Sequence, residues 1–326
     1  SNNSLTYVFG GFGNLSVPRL TKSGTAAFTR VDGGADVIGE IQLDAGIYCS
    51  SNTYDATLAS VLSDTTAGLG TFVKSGPAVL TVSGNNRAFN GTVEVREGTL
   101  KAGNSLALGS AQGPTIITNG GTLDVNDLYL GDEPVVVSGA GVGGVGAIID
   151  STTGGDVLPA LKDVTLAGDT TFGSPNGGRW DLRVRQNTGA GPGLRGNGFN
   201  LTKVGPGMVS IASQRNLGAA TPYWEMNLGD VTVQAGTLAL AESLSLGNPA
   251  KQIIVQPGAI LQFYDLGLTN PIWRTIALTD ARLNSHGSET HTNVINGGFQ
   301  LTGANTFWAE QAHLIVNGPL AGSGTL

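Results

Sequence analysis

Apolar and polar side chains alternate along this chain in short runs. Thr92-Val93-Glu94-Val95-Arg96 sets valines on one side and polar groups on the other, the pattern of a half-buried strand. Trp180-Asp181-Leu182-Arg183-Val184-Arg185 repeats it. Glycine and asparagine punctuate about every 6 to 10 residues, which marks short strands joined by tight turns. Only Asp55 to Ser63 admits a short helix; elsewhere no dozen residues hold a 3.6-residue period.

The strands recur as repeats. Leu20-Thr21-Lys22-Ser23-Gly24 returns as Phe72-Val73-Lys74-Ser75-Gly76 and as Leu201-Thr202-Lys203-Val204-Gly205. Gly91 to Leu100 matches Gly229 to Leu238, and each copy ends in Gly-Thr-Leu. Leu106-Ala107-Leu108-Gly109 then matches Leu244-Ser245-Leu246-Gly247 at the same offset. An insertion around Thr221 to Met226 leaves the flanks aligned, as an outer loop on a regular stack does.

The short period sets the architecture. Gly98 to Gly121 is 23 residues and Gly236 to Gly258 is 22. Three strands per turn at that period predict an all-β fold, a parallel β-helix (β-solenoid). One turn cannot bury its inward side chains, but a stack can. The expectation is about 15 turns of roughly 22 residues over 1–326, a rod on the order of 70 Å long.

Composition agrees with this. The chain has 326 residues, 51 glycines and only 13% charged residues, about twice the usual glycine and half the usual charge. With 24 acidic against 17 basic side chains, it repels nucleic acid and anionic membrane. No apolar run is long enough to span a bilayer as a helix. The single cysteine, Cys49, is expected as a small buried side chain with no intramolecular disulfide. Ser1-Asn2-Asn3-Ser4 is no signal peptide, so an export signal is expected outside this sequence.

These motifs resemble the autotransporter-associated β-strand repeat. That family pairs Leu-Thr-Lys-x-Gly with a strand, Ser-Gly-x-Asn, an aromatic, a glycine step and Gly-Thr-Leu. Clear copies run over 68–109, including Ser83-Gly84-Asn85-Asn86, Phe89 and Gly91, and over 196–247. Partial copies start at Leu20 and at Phe299. The resemblance implies a right-handed parallel β-helix in the exported passenger region of a large bacterial surface or secreted protein. It carries over no catalytic residue, no cofactor and no metal. The roughly ten-residue strands of an outer-membrane barrel are missing, so the chain is expected to be a passenger fragment or a repeat protein exported by another route. Gly318 to Leu326 reads as the opening of a further repeat. The partners expected are therefore further repeats of the same chain, or a second copy end to end.

Glycoside hydrolysis needs two carboxylates about 5–9.5 Å apart; the candidate acids are Asp124, Asp127, Asp132 and Glu133, or Asp163, Asp169 and Asp181. Both sets are read as solvated surface. His286 and His291, with Glu289 between them, are read as a polar loop rather than a zinc site, and His313 stands apart. Gly139 to Gly144 fits the dinucleotide glycine spacing, but a strand is expected after it where a helix is required. Arg179, Arg183 and Arg185 are expected to make a salt-bridged outer face over Trp180, Leu182 and Val184. Tyr223 and Trp224 are expected to pack against the flank. Asn2, Asn14, Asn90 and Asn200 begin glycosylation sequons.

The resulting expectation is an extracellular structural protein of the bacterial cell surface, a stalk, passenger or fibre segment, and not an enzyme. Recognition would fall to outer loops at 221–227 and 285–292. An adhesin binding surface glycan is the alternative, and a polysaccharide-degrading β-helix enzyme the third.

Overall fold

A computed structural model describes residues 7–9, 16–24, 26–31, 37–64, 68–154, 160–183, 193–212, 224–242 and 244–326. Among them every pairing between named strands is parallel, and the chain winds as a β-solenoid of about 12 turns. One face is unbroken from Ala56–Leu58 to Leu320–Gly322. At about 4.8 Å per turn the stack is about 58 Å long.

The turn count falls short of the expected 15 because turns are unequal. Val93 to Thr115 is one turn of 22 residues, whereas Val164 to Leu194 and Leu201 to Val231 take 30 each. Strand pairing continues across both longer turns. The proposed helix is also replaced. Ala56–Leu58 and Val61–Asp64 are strands, because pairing to Leu80–Val82 and to Glu40–Leu43 satisfies their backbone groups.

Identical positions stack on successive turns. Leu80, Leu100, Leu123, Ile148 and Phe172 form one inward column, all but excluded from water. Phe28, Tyr48 and Phe72 form a second, with ring centroids 5.6 and 6.1 Å apart. Such ladders let each turn bury the apolar face of the next. Gly70, Gly91 and Gly113 precede strands of one face on consecutive turns. A Cβ at Gly91 would meet the Gly70 carbonyl oxygen at 2.1 Å, and one at Gly113 would meet that of Gly91 at 1.9 Å. Glycine is required there by close backbone approach.

The repeats do not keep one position around the axis. Phe72-Val73-Lys74-Ser75 lies on a first face, stacked on Ile47–Ser51. Leu201–Val204 lies on the second, unbroken face, and Leu20-Thr21-Lys22-Ser23 on a third, stacked with Val37–Asp44. The Gly-Thr-Leu strands shift likewise, from the second face at Gly98–Ala102 to a sheet with Arg179–Arg183 and Met208–Ala212 at Thr237–Ala241. The pivot is the 11-residue strand Asp163–Gly173. Its first half covers Pro134–Gly139 and its end covers Ile148–Ile149, so it bridges two faces of the turn below.

Candidate functional site

The repeated lysine has a structural task. Lys74 is fully buried. Its ammonium donates to the carbonyl oxygens of Ser75 at 2.8 Å, Gly76 at 2.6 Å and Glu97 at 3.0 Å. Lys203, also fully buried, donates to Gly205 and Ala235, each at 2.8 Å. In both copies the head group curls over its own turn and joins the carbonyl of the next. Burial pushes both ammonium groups down to about 8. The motif asparagine does related work: Asn86 accepts from the Leu62 amide at 2.8 Å and donates to the Ala107 carbonyl at 2.6 Å. Phe89 fills the core beneath the glycine column.

Two grooves mark the outer surface. The larger, about 740 Å³, runs over the second face between Tyr54, Asp55, Thr81, Lys101, Asp124 and Ser151. At one end Ser151 Oγ donates to Asp124 Oδ2 at 2.6 Å, and Lys101 Nζ lies 2.9 Å from that hydroxyl and 3.4 Å from the carboxylate. Asp124 also accepts from the amides of Asn126 and Ser151, so it works as a staple between turns. The smaller groove, about 240 Å³, has a floor of Ser210, Ala212, Ala239 and Ala241. Arg179 and Arg183 stand at one end, Tyr264 and His286 at the other.

Three of the seven candidate acids are not the solvated surface expected. Asp124, Glu133 and Asp181 are 2%, 3% and 0% exposed. Glu133 accepts from the Thr115 hydroxyl at 2.7 Å; burial, only partly offset by that bond, pushes its carboxyl up to about 8. Asp181 takes a two-bond fork from Arg179 at 2.7 and 2.9 Å. Asp163 pairs with Arg195 and Asp132 with Lys162. Asp169 accepts from the backbone and side-chain amides of Asn200, both at 2.9 Å. Each is covered by its partner: Asp124 by the Asn126 and Ser151 amides it accepts from, Glu133 by Thr115 and Asp181 by Arg179. Period-2 alternation carries no information about such contacts.

Asn90 repeats the Asn200 arrangement on Asp64, at 2.8 and 3.0 Å. Both sequon amides are thus spent on turn-to-turn bonds. Asn2 and Asn14 lie outside the described residues, as do Arg185 and Tyr223. Trp224–Glu225 is a short strand on Leu244–Ser245, and Met226 and Leu228 are buried, so the C-terminal part of the insertion belongs to the stack.

The proposed outer loop at 285–292 is shorter than expected. Arg282–His286 and Thr292–Ile295 are strands, and Ser285 is fully buried. His291 Nδ1 pairs with Asp265 Oδ1 at 2.5 Å. His286 packs on Tyr264, centroids 5.3 Å apart. Among the described residues no three His, Cys, Asp or Glu side chains converge as a metal centre. Arg179 and Arg183 pair with Asp181 and Glu242 over buried Trp180 and Leu182, as the alternation predicts. After Gly139–Gly141 come a three-residue 3-10 turn and the strand Ile148–Ile149, so the glycine run opens no helix. Cys49 is half-buried rather than buried, its sulfur 3.1 Å from the Ser75 hydroxyl.

Arg274 escaped the sequence reading. It is 1% exposed, and its guanidinium donates to the carbonyls of Gly229 at 2.5 Å, Leu228 at 2.6 Å and Leu246. Burial lowers it to about 10. No spacing rule distinguishes it from a surface arginine. Among the described residues, no helix is long and apolar enough to cross a membrane.

No family model matches the chain, and no solved structure does. The chain is similar to the adhesin BmaC autotransporter of Brucella suis biovar 1 (strain 1330), with 34% identity over 125 residues. The match covers 38% of this chain and 4% of that protein's length. Repeated strand-and-turn sequence and a parallel solenoid thus go together with similarity to one stretch of a bacterial autotransporter adhesin.

Proposed function

We propose that this chain is a segment of the exported passenger of a bacterial surface protein, where it serves as a rigid spacer. One observation carries the reading: a parallel face that runs without a break from Ala56 to Gly322, backed by stacked apolar columns. Such a stack resists bending because each turn is bonded to two neighbours and buries their apolar faces. The similarity to an autotransporter adhesin supports a place outside the cell. In this reading the chain is a scaffold and not an enzyme, one continuous solenoid whose partners are further turns of its own polypeptide or a second copy at its end.

Adhesion is the second reading, favoured by the small outer groove with arginine at one end and the Tyr264–His286 ring pair at the other. Aromatic and guanidinium groups facing each other over a small-residue floor suit an acidic glycan.

Negative-stain electron microscopy of the chain tests the spacer. Rods about 58 Å long, shortened by about two rungs when two turns are deleted in register, are the expected result. Rods joined end to end would make it a fibre subunit. Globular particles, or collapse of the whole chain on deletion, would defeat the spacer reading. Glycan-array binding lost in Tyr264→Ala tests the second reading, and absence of any saturable binding rejects it.

A further inference from the structure

The larger groove lies on the outward side of the second face, and strand register assembles its floor. Thr57, Thr81, Lys101, Asp124 and Ile149 hold one outward position on five successive turns. At the rung spacing they make a column about 19 Å long. In order it presents two hydroxyls, an ammonium and a carboxylate, and Ile149 closes it. Thr99 lies in the next outward column, paired with Val79. All of these line one groove of about 740 Å³, within the size range of ligand sites.

Two features ask for an occupant. Among the described residues, no hydrogen bond within the chain takes up the hydroxyls of Thr57, Thr81 and Thr99. Each therefore offers a donor and an acceptor to the groove. Tyr54, on the same turn as Thr57, is 55% exposed and lines the same groove. A flat, half-polar ring beside a row of hydroxyls suits a ligand with both apolar and hydroxylated faces.

The other lining groups narrow its chemistry. The carboxylates of Asp55 and Asp124 stand against one ammonium, Lys101, which lies 3.4 Å from Asp124. That balance disfavours an anionic chain. Val79–Val82 is paired with Ala56–Leu58 on one side and Gly98–Ala102 on the other, so the sheet offers a peptide no open edge there. A wholly apolar guest would leave the three hydroxyls without partners.

We propose that this groove binds a neutral oligosaccharide, laid along the column with one sugar ring on Tyr54 and its hydroxyls bonded to Thr57, Thr81 and Lys101. Ser151 and Asp124 hold the Lys101 ammonium in place; with three protons and two protein partners, it keeps one donor for the ligand. The site shares no residue with the small groove, and it does not rest on the spacer reading.

The test is an array of neutral glucan, mannan and galactan oligosaccharides probed with the 326-residue chain, followed by calorimetric titration of the sugars that bind. Saturable binding is expected, with a dissociation constant at or below about 1 mM. Raising NaCl from about 0.1 to about 0.5 M should leave it unchanged, because no charge pair forms. Tyr54→Ala should weaken binding about tenfold, and Thr81→Val about threefold or more. Tyr264→Ala, in the small groove, should have no effect. Thr81→Val keeps the test alive if Tyr54→Ala does not fold. Absence of binding to all of these sugars up to about 10 mM would overturn the site. So would binding that survives both variants. Binding confined to anionic glycans and lost in Tyr264→Ala would also overturn it, while supporting the acidic-glycan reading of the small groove.

Discussion

Lys74 reaches the carbonyl oxygen of Glu97, one turn above, with its ammonium 3.0 Å away. Lys203 makes the same connection to Ala235 on a different face of the solenoid. In these two copies the lysine is thus a vertical tie that travels with its own turn, on the first face and on the second.

Replacing Lys74 or Lys203 by methionine keeps the stem and removes the donors. Each change should lower stability by roughly 2–4 kcal/mol, because it orphans two or three buried carbonyls. Denaturant melts followed by circular dichroism would show it. A change below about 0.5 kcal/mol would mean the carbonyls find water instead.

The same lysines set an alkaline pH response. Their folded values are lowered from 10.5 to about 8. Between those limits the unfolded chain binds more protons than the native one, so stability rises as pH climbs from about 8 to 10.5. Glu133 has the opposite sign. Its folded value is raised from 4.5 to about 8, so its contribution is present below 4.5 and is lost as pH rises through 8. The two together predict a stability minimum near pH 8. Denaturation midpoints at several pH values would reveal it, and Glu133→Gln should remove the acid limb.

Arg274 ties its turn to two below by bonds to Leu228, Gly229 and Leu246. Arg274→Lys cannot span three carbonyls with the same planar fork. Amide exchange should speed up around 226–229 and 244–247 while the strands of the second face stay protected. Uniform protection in the variant would show that the tie is dispensable.

Gly113→Ala should be among the most damaging single changes. The new methyl would sit 1.9 Å from the Gly91 carbonyl oxygen, so neighbouring turns must part. A loss of about 2–4 kcal/mol is expected. Gly131→Ala makes a useful contrast, because nothing lies within 4 Å of its position and only its positive φ of 74 is unfavourable. Equal melting temperatures for Gly113→Ala and the parent would contradict the close-approach argument.

Local pattern in the sequence determined the solenoid. Thr92 to Val95 alternates because one side meets core and the other meets water. Glycine recurs at the turn period because backbones stack there, and Lys74 and Lys203 stand in matching motifs because each closes the same turn. These are short-range demands, legible in any one copy and reinforced by repetition. The rest depends on which turn lies over which. Unequal connections moved the Leu-Thr-Lys strands from one face to another across Asp163–Gly173. Contacts between turns buried Asp124, Glu133, Asp150 and Asp181. They also brought Arg274 over Leu228 and Gly229. No residue pattern announces those meetings, because the energy of a corner belongs to two turns at once.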